Sequence, residues 1–177
     1  MENYQQPISN SQDLILIVNW QLGFGSYTDV MHKVRLIALG KIKTDWIADG
    51  CNEFIKRLAP LCDFEVITLK SGTPQEEHER IGQWMEKQSQ PCILLDERGR
   101  QRTSQEFSEW IGLFRDRGES MNFILGGAYG FSDAIRSQAS HKIALSGMTF
   151  PHELCQLVFL EQLYRAHLIA RGSGYHH

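Results

Sequence analysis

The sequence predicts an α/β fold with a mainly parallel sheet and helices on both of its faces. From residue 34 onwards, short runs rich in Val, Ile, Leu and Phe alternate with segments of helical spacing. Strands that alternate with helices along a chain are typical of parallel sheets. The chain has 177 residues, of which 42% are hydrophobic, and this is enough material for one core.

The first half of the regular region begins with a strand and a helix. Residues 34–39 form an apolar run that ends at Gly40, as buried strands often do. Residues 44–58 have helical spacing, and residues 64–69 predict a second strand. One broad face of the helix carries Trp46, Ile47, Phe54, Ile55 and Leu58.

Two capping boxes mark the starts of the next helices. In Thr73-Pro74-Gln75-Glu76, Thr73 caps the helix, Pro74 occupies its first turn and Glu76 reaches back. This helix is predicted to run to about residue 88 and to precede a strand at 92–95, which Asp96 ends. The second box, at 103–106, opens a helix through Phe114.

The last part of the chain predicts two strands and two helices. The strands lie at 121–125 and 142–145, and a short helix lies between them at 132–139. Pro151 opens a final helix that ends before Gly172 and has no polar face. A helix that is apolar all round predicts packing on its own sheet on one side and on a second subunit on the other. The alternative is a central core helix within one subunit.

Charge and cysteine usage exclude several classes of protein. A formal net charge of -3 argues against a protein that coats nucleic acid through bulk charge, but not against an enzyme that meets RNA through a local basic patch. The four cysteines lie in apolar contexts without a Cys-x-x-Cys pair, which predicts reduced core residues and a cytoplasmic location: Cys51, Cys62, Cys92 and Cys155. We expect no membrane association, because the apolar run at 14–18 is too short to span a bilayer.

Three predicted strand ends carry chemically distinctive loops, and ligands bind at such ends in parallel sheets. The third strand leads into an arginine-rich loop with Arg98, Arg100 and Arg102. The fourth leads into Gly126-Gly127-Ala128-Tyr129-Gly130, which lacks the Gly-x-Gly-x-x-Gly spacing, so phosphate binding and a simple tight turn both remain open. The fifth leads into an apolar loop at 145–151 that suits a flat, weakly charged ring such as adenine.

Charged and titratable residues near the end of the chain allow two interpretations. Arg165 lies four residues after Glu161, so it is either a partner in a helical ion pair or a phosphate contact. Five of the seven histidines follow residue 140, but no His-x-x-x-His joins a suitable carboxylate. We therefore expect solvated or substrate-facing histidines and no metal site.

Taken together, these motifs resemble the ribosomal RNA large subunit methyltransferase H family of the SPOUT superfamily. The resemblance spans residues 33–177 and rests on the order and spacing of several segments rather than on one motif. These segments are 34–41, Leu95-Asp96 with Gly99 and Ser104, Leu125-Gly126-Gly127 with Gly130, Leu145-Ser146 with 148–152, Glu161-Gln162-Leu163-Tyr164-Arg165-Ala166, and Tyr175-His176.

The resemblance implies a homodimer through the C-terminal helix, with a C-terminal trefoil knot that binds S-adenosylmethionine. It also implies methylation of N3 of a pseudouridine in 23S rRNA on the assembled ribosome. Carried over by position, the cofactor contacts are Leu95, Gly126, Gly127, Leu145, Ser146, Gly147, Met148, Thr149 and Phe150. His152, Arg165 and His176 are the candidate catalytic residues, and Tyr175 joins Arg165 and His176 near the RNA.

The front of the chain departs from the family pattern. Members of the family begin close to Met31, so residues 1–32 are expected to be an N-terminal extension outside the methyltransferase domain at 33–177. An upstream mis-start of translation is the favoured explanation of this segment. Two other functions remain as alternatives: a SPOUT methyltransferase acting on transfer RNA, and a non-catalytic nucleotide-binding module.

Overall fold

The computed structural model describes residues 32–174, which form a sheet of five parallel strands. The apolar run at 14–18 lies outside these residues, as do Tyr175 and His176 and all but His32 of the predicted extension. The sheet has the order β2-β1-β4-β3-β5. The strands are β1 (Lys33–Leu39), β2 (Asp63–Leu69), β3 (Cys92–Gln101), β4 (Met121–Leu125) and β5 (His141–Ala144).

Five helices connect and follow the strands. They are α1 (Asp45–Leu58), α2 (Pro74–Met85), α3 (Ser104–Asp116), α4 (Asp133–Gln138) and α5 (His152–Ala170). Both predicted capping boxes are present, since Thr73 and Thr103 each accept a hydrogen bond from the third helical N–H while Glu76 and Glu106 reach back. The mainly parallel α/β fold is thus confirmed.

Alternating side chains along the strands build one core on each face of the sheet. Val34, Leu36 and Phe123 point towards α1, α3 and α5, whereas Ile37 and Ile124 point towards α2 and α4. The predicted helices on both faces are therefore confirmed, and the larger core lies under α5. At its centre the rings of Phe123 and Phe159 lie 4.7 Å apart, and both side chains are fully buried.

Helix α5 lies between α1 and α3 and is not buried all round. Its buried stripe faces the sheet and consists of Gln156, Phe159, Leu160, Leu163, Ala166 and His167. Its other apolar residues, Leu154, Leu157, Val158, Leu168 and Ile169, are only partly buried within the described chain. Trp46 was predicted to face the core from α1, but 63% of it is exposed.

Strand β3 is longer than the sequence predicts. It was expected to end at Asp96, but it continues to Gln101 because it returns to pair with β5. Leu95 and Arg100 both align with Ile143, so the four residues between them leave the sheet as an excursion. Gly99 allows the return, since a Cβ there would lie 2.5 Å from the main chain of Ile143.

The cysteines fit the predicted reduced core. Cys51, Cys62 and Cys92 are buried, Cys155 is half-buried, and all four are free. Burial raises the pKa of Cys51 to about 11 and that of Cys62 to about 12, so both thiols stay protonated at neutral pH. Within residues 32–174, no helix is both long and apolar enough to cross a membrane.

Candidate functional site

A large cavity of the described region lies at the carboxyl edge of β3, β4 and β5. Its volume is about 780 Å³, and the loops after these three strands and the first turn of α5 surround it. These are the three strand ends that the sequence marks as chemically distinctive. Parallel strands bring them together because all carboxyl ends meet at one edge of the sheet.

The loop after β4 forms one wall of the cavity and contains the predicted Gly126 and Gly127. A Cβ at Gly126 would lie 3.1 Å from the ring of Phe131, and one at Gly127 would lie 2.3 Å from Glu77 Oε2. Gly130 has a φ of 69° and donates its N–H to the carbonyl of Gly127. The loop is thus a tight turn that packs closely against side chains of the same chain. Of the two interpretations that the sequence leaves open, phosphate binding and a tight turn, the structure shows the turn.

A histidine on α2 supports this turn from outside. His78 Nε2 lies 3.1 Å from the carbonyl oxygen of Gly130, at hydrogen-bonding distance. The two residues are 52 positions apart, so the sequence alone gives no signal for this contact. His78 therefore joins α2 to the wall of the cavity.

The loop after β5 forms the opposite wall. Five of its six predicted cofactor contacts line the cavity: Leu145, Ser146, Met148, Thr149 and Phe150. The sixth, Gly147, is not among the lining residues, and a Cβ there would lie 3.0 Å from Nε2 of Gln101 on the extension of β3. Ser146 Oγ accepts a hydrogen bond from the N–H of Met148, whose side chain is 75% exposed.

The end of β3 contributes apolar surface and a buried charge pair. Leu95, a predicted cofactor contact, lines the cavity and is almost fully buried. Next to it, Asp96 Oδ2 accepts a hydrogen bond from Nε of Arg136, and Oδ1 accepts one from the N–H of Arg98. Burial by itself would raise the pKa of Asp96, but these hydrogen bonds outweigh it and hold the pKa below its usual value.

His152 begins α5 and lies at the exposed rim of the cavity. The residue after it, Glu153, accepts hydrogen bonds from the main-chain N–H groups of Lys43 (3.1 Å) and Thr44 (3.2 Å). These bonds satisfy the start of α1, where the Thr44 side chain makes no cap, and they lower the pKa of Glu153. They also fix the first turn of α5, and with it the place of His152.

Arg165 does not line this cavity. It lies on the side of α5 and donates from Nε to Glu161 Oε1 at 2.9 Å, so the helical ion pair is present. The cavity therefore brings together Leu95, the loops and His152, whereas Arg165 lies apart from them. Sequence reasoning missed Asp96, Arg136 and Glu153 as site residues, although Asp96 directly follows a buried strand.

The part of the chain that the structure describes contains no group of three His, Cys, Asp or Glu side chains placed to hold a metal ion. The cavity is lined by apolar side chains, main-chain groups, the paired Asp96 and Arg136, and the exposed Glu97, Arg98 and His152. Such a site can bind a flat organic molecule and place a proton acceptor at its rim.

Comparison with known proteins gives one family. Residues 32–176 match the model of the family described as predicted SPOUT methyltransferase. A protein of Trichlorobacter lovleyi named ribosomal RNA large subunit methyltransferase H is 43% identical over 152 residues, which are 82% of this chain and 99% of that protein. Proteins with the same name from Oleidesulfovibrio alaskensis and Geotalea uraniireducens are 39% and 40% identical, over 83% and 82% of this chain and 100% and 99% of their own length.

Proposed function

This chain belongs to the SPOUT methyltransferase family, and we propose that it methylates large-subunit ribosomal RNA with S-adenosylmethionine as methyl donor. The proposed acceptor is N3 of a pseudouridine in 23S rRNA, on the assembled ribosome. The main support is that relatives named ribosomal RNA large subunit methyltransferase H align with this chain over nearly their whole length. The position of the cavity at the loops that the resemblance assigns to the cofactor supports the same proposal.

The cavity suits S-adenosylmethionine in size and chemistry. Its volume of about 780 Å³ is in the range of small-molecule sites. Leu95, Leu125, Leu145 and Phe150 offer apolar contacts for the adenine ring, and the main-chain groups of the two loops offer hydrogen bonds. When bound, the cofactor supplies an electrophilic methyl group on a sulfonium centre.

The protein's own task is to position the base and to remove the N3 proton. We assign proton acceptance to His152, which lies at the rim of the cavity, or to His176 of the tail, directly or through a water molecule. His152 is fixed in place by the contact between Glu153 and the start of α1. Arg165 is assigned to an RNA phosphate or to orienting the base, and Tyr175 to the RNA.

The outer side of α5 supports a homodimer. Its partly exposed apolar residues, such as Leu154 and Val158, would leave water if a second subunit packed on this helix. The flanking helices α1 and α3 also expose large apolar side chains, Trp46 (63%) and Leu113 (53%). We place the dimer contact on α5 and the trefoil knot of the family around the loops that form the cavity.

Methyl transfer from labelled S-adenosylmethionine to whole ribosomes, separated subunits and transfer RNA tests the proposal. We expect label in large-subunit RNA of whole ribosomes, and mass spectrometry of the digested RNA should give N3-methylpseudouridine. Label in transfer RNA instead would support the rival SPOUT activity. Calorimetry that finds ATP or NAD binding without S-adenosylmethionine binding would support a nucleotide-binding module without catalysis.

A further inference from the structure

Two arginines at and just after the end of β3 differ from most others in the described region because they form no ion pair with a carboxylate. Arg100, Arg102 and Arg171 are the arginines of residues 32–174 that form no ion pair, and Arg171 donates instead to the carbonyl of Pro60. Arg100 and Arg102 both follow the excursion of β3. Glu106 compensates their charges only in part: its pKa is lowered by its hydrogen bonds with Thr103 and further by the charges of Arg100 and Arg102.

Arg98 continues the same row towards the cavity. It lines the cavity, and its side chain is 64% exposed. Its ion pair with Asp133 is long, at 3.7 Å, and Asp133 is 93% exposed, so water screens the attraction between them. Arg98 at the cavity is thus followed by Arg100 and Arg102 at alternate positions of the sequence, at and just after the end of β3.

The carboxylates near this row are engaged elsewhere. Asp96 is held by Arg136 and by the N–H of Arg98. Glu106 accepts the N–H of Thr103 at 2.8 Å as part of the capping box of α3. Glu97 is the exposed carboxylate that remains within the row. Residues 97–102 carry three arginines and one carboxylate, although the whole chain has a formal net charge of -3.

Arg102 is held in place at some electrostatic cost. Its guanidinium carbon lies 4.6 Å from the ring centre of Trp110, and its Nε is buried without a hydrogen-bond partner. Burial lowers the pKa of Arg102 and the neighbouring charge of Arg100 lowers it further, while the carboxylate of Glu106 offsets part of this. Two like charges kept close together are stabilised by an anion that binds both.

We propose that Arg98, Arg100 and Arg102 bind phosphates of the RNA backbone and lay the substrate strand across the mouth of the cavity. This inference rests on the proposed function, because it names the surface through which the RNA reaches that site. A guanidinium matches a phosphate with two parallel hydrogen bonds, and phosphate contacts fix the register of a nucleic acid on a protein. A protein with an acidic total needs such a local row to hold RNA.

The test measures binding to ribosomes and to a short single-stranded uridine oligomer as a function of KCl concentration. The double variant R100Q/R102Q is compared with R57Q/R117Q, which removes the same charge from exposed arginines outside the segment 98–102. We expect the slope of log affinity against log salt to fall by about 1.4 in the first variant, ~0.7 for each lost phosphate contact, and to stay unchanged in the second. Affinity for S-adenosylmethionine should be the same in both.

The outcomes separate this inference from the proposed function. If wild type methylates ribosomes but R100Q/R102Q keeps the wild-type slope, the arginine row is refuted and the methyltransferase proposal remains. If wild type transfers no methyl group to ribosomes but the slope on the uridine oligomer falls, the proposed function fails and the phosphate site stands. If the double variant unfolds through the loss of the Arg102–Trp110 contact, the single variant R100Q is measured instead. Its slope of log affinity against log salt should fall by about 0.7, and an unchanged slope refutes the arginine row.

Discussion

Asp96 and Arg136 form a buried ion pair in one wall of the cavity, with Oδ2 of Asp96 2.6 Å from Nε of Arg136. The two side chains are 2% and 15% exposed. They are 40 residues apart in sequence and join the end of β3 to α4. The pair therefore closes one side of the site by a contact between elements that the sheet itself does not connect.

Removing one partner of this pair should destabilise the protein strongly. For Asp96→Asn we expect the free energy of unfolding to fall by about 3 kcal/mol, because the largely buried guanidinium of Arg136 loses its buried countercharge and keeps only the exposed Asp133. The double variant Asp96→Asn/Arg136→Gln should lose less than the sum of the two single variants. Urea unfolding of the wild type, the two single variants and the double variant measures the interaction energy of the pair. Strictly additive losses would show that this interaction energy is zero.

Gly130→Ala should weaken S-adenosylmethionine binding beyond its effect on stability. Its φ of 69° would cost an alanine about 1 kcal/mol, and the same holds for the exposed Gly118, whose φ is 66°. Only Gly130 lines the cavity, so Gly118→Ala is the matched control. We expect similar unfolding midpoints for both variants, and calorimetry should find weaker cofactor binding in Gly130→Ala alone. Equal cofactor affinities would remove the glycine turn from the proposed site.

His152→Ala should change the pH–rate profile of methyl transfer if His152 accepts the N3 proton. The limb of the profile that depends on deprotonation of the base should be flattened or shifted, and the rate should fall by about 10²-fold or more. His176→Ala is measured beside it because the tail is the other proposed acceptor. Profiles unchanged from wild type in both variants would reject the proton-transfer role of histidine.

Arg165→Ala should reduce methyl transfer on ribosomes without loss of S-adenosylmethionine affinity. Arg165 does not line the cavity, so the expected defect is in RNA binding. Because Arg165 also pairs with Glu161, the variant Glu161→Gln is the control for loss of the helical ion pair. Full activity of Arg165→Ala would assign Arg165 to the ion pair and to nothing more.

The stability of the protein should fall in mild acid because of two buried histidines. The rings of His32 and His167 lie 5.2 Å apart, and Nε2 of each is buried without a hydrogen-bond partner in residues 32–174. Burial is the main cause that lowers the pKa of both, that of His167 to about 3, while nearby arginines lower it further. Below the unfolded pKa of about 6.5, the unfolded chain takes up protons that the native state does not.

As the pH falls from about 6.5 towards the native pKa, each such histidine lowers the free energy of unfolding by up to about 1.4 kcal/mol per pH unit. Urea unfolding at pH 7.5 and 5.5 should give a clearly lower free energy at the lower pH. His167→Leu should reduce that difference, whereas the same comparison for the exposed His141→Gln should not. An undiminished difference in His167→Leu would mean that other groups cause the acid sensitivity.

Local signals predict most of this fold, and long-range contacts account for what they miss. The capping boxes at Thr73 and Thr103 fix where α2 and α3 begin, because a cap uses residues only three positions apart. The extension of β3 escapes prediction, since its sequence from Glu97 to Gln101 is charged and polar and pairs with β5 through main-chain groups.

The candidate site shows the same division. The apolar loop at 145–150 and the glycines after β4 are visible as sequence motifs, and the sheet brings both to one cavity. The contacts of Asp96 with Arg136 and of His78 with Gly130 span 40 and 52 residues, so a single sequence holds no trace of them. Glu153 was missed for a similar reason, because its partners lie at the start of α1.

Leu95 and Arg100 both align with Ile143, so the register between β3 and β5 is the same before and after the excursion at 96–99. The exposed Glu97 and Arg98 can be replaced without shifting β5 against β3, since the strand re-enters at the same partner, whereas Asp96 and Gly99 are fixed by Arg136 and by the main chain of Ile143. The rim of the cavity, where Glu97 and Arg98 lie, can therefore diversify while the core beneath it stays constant.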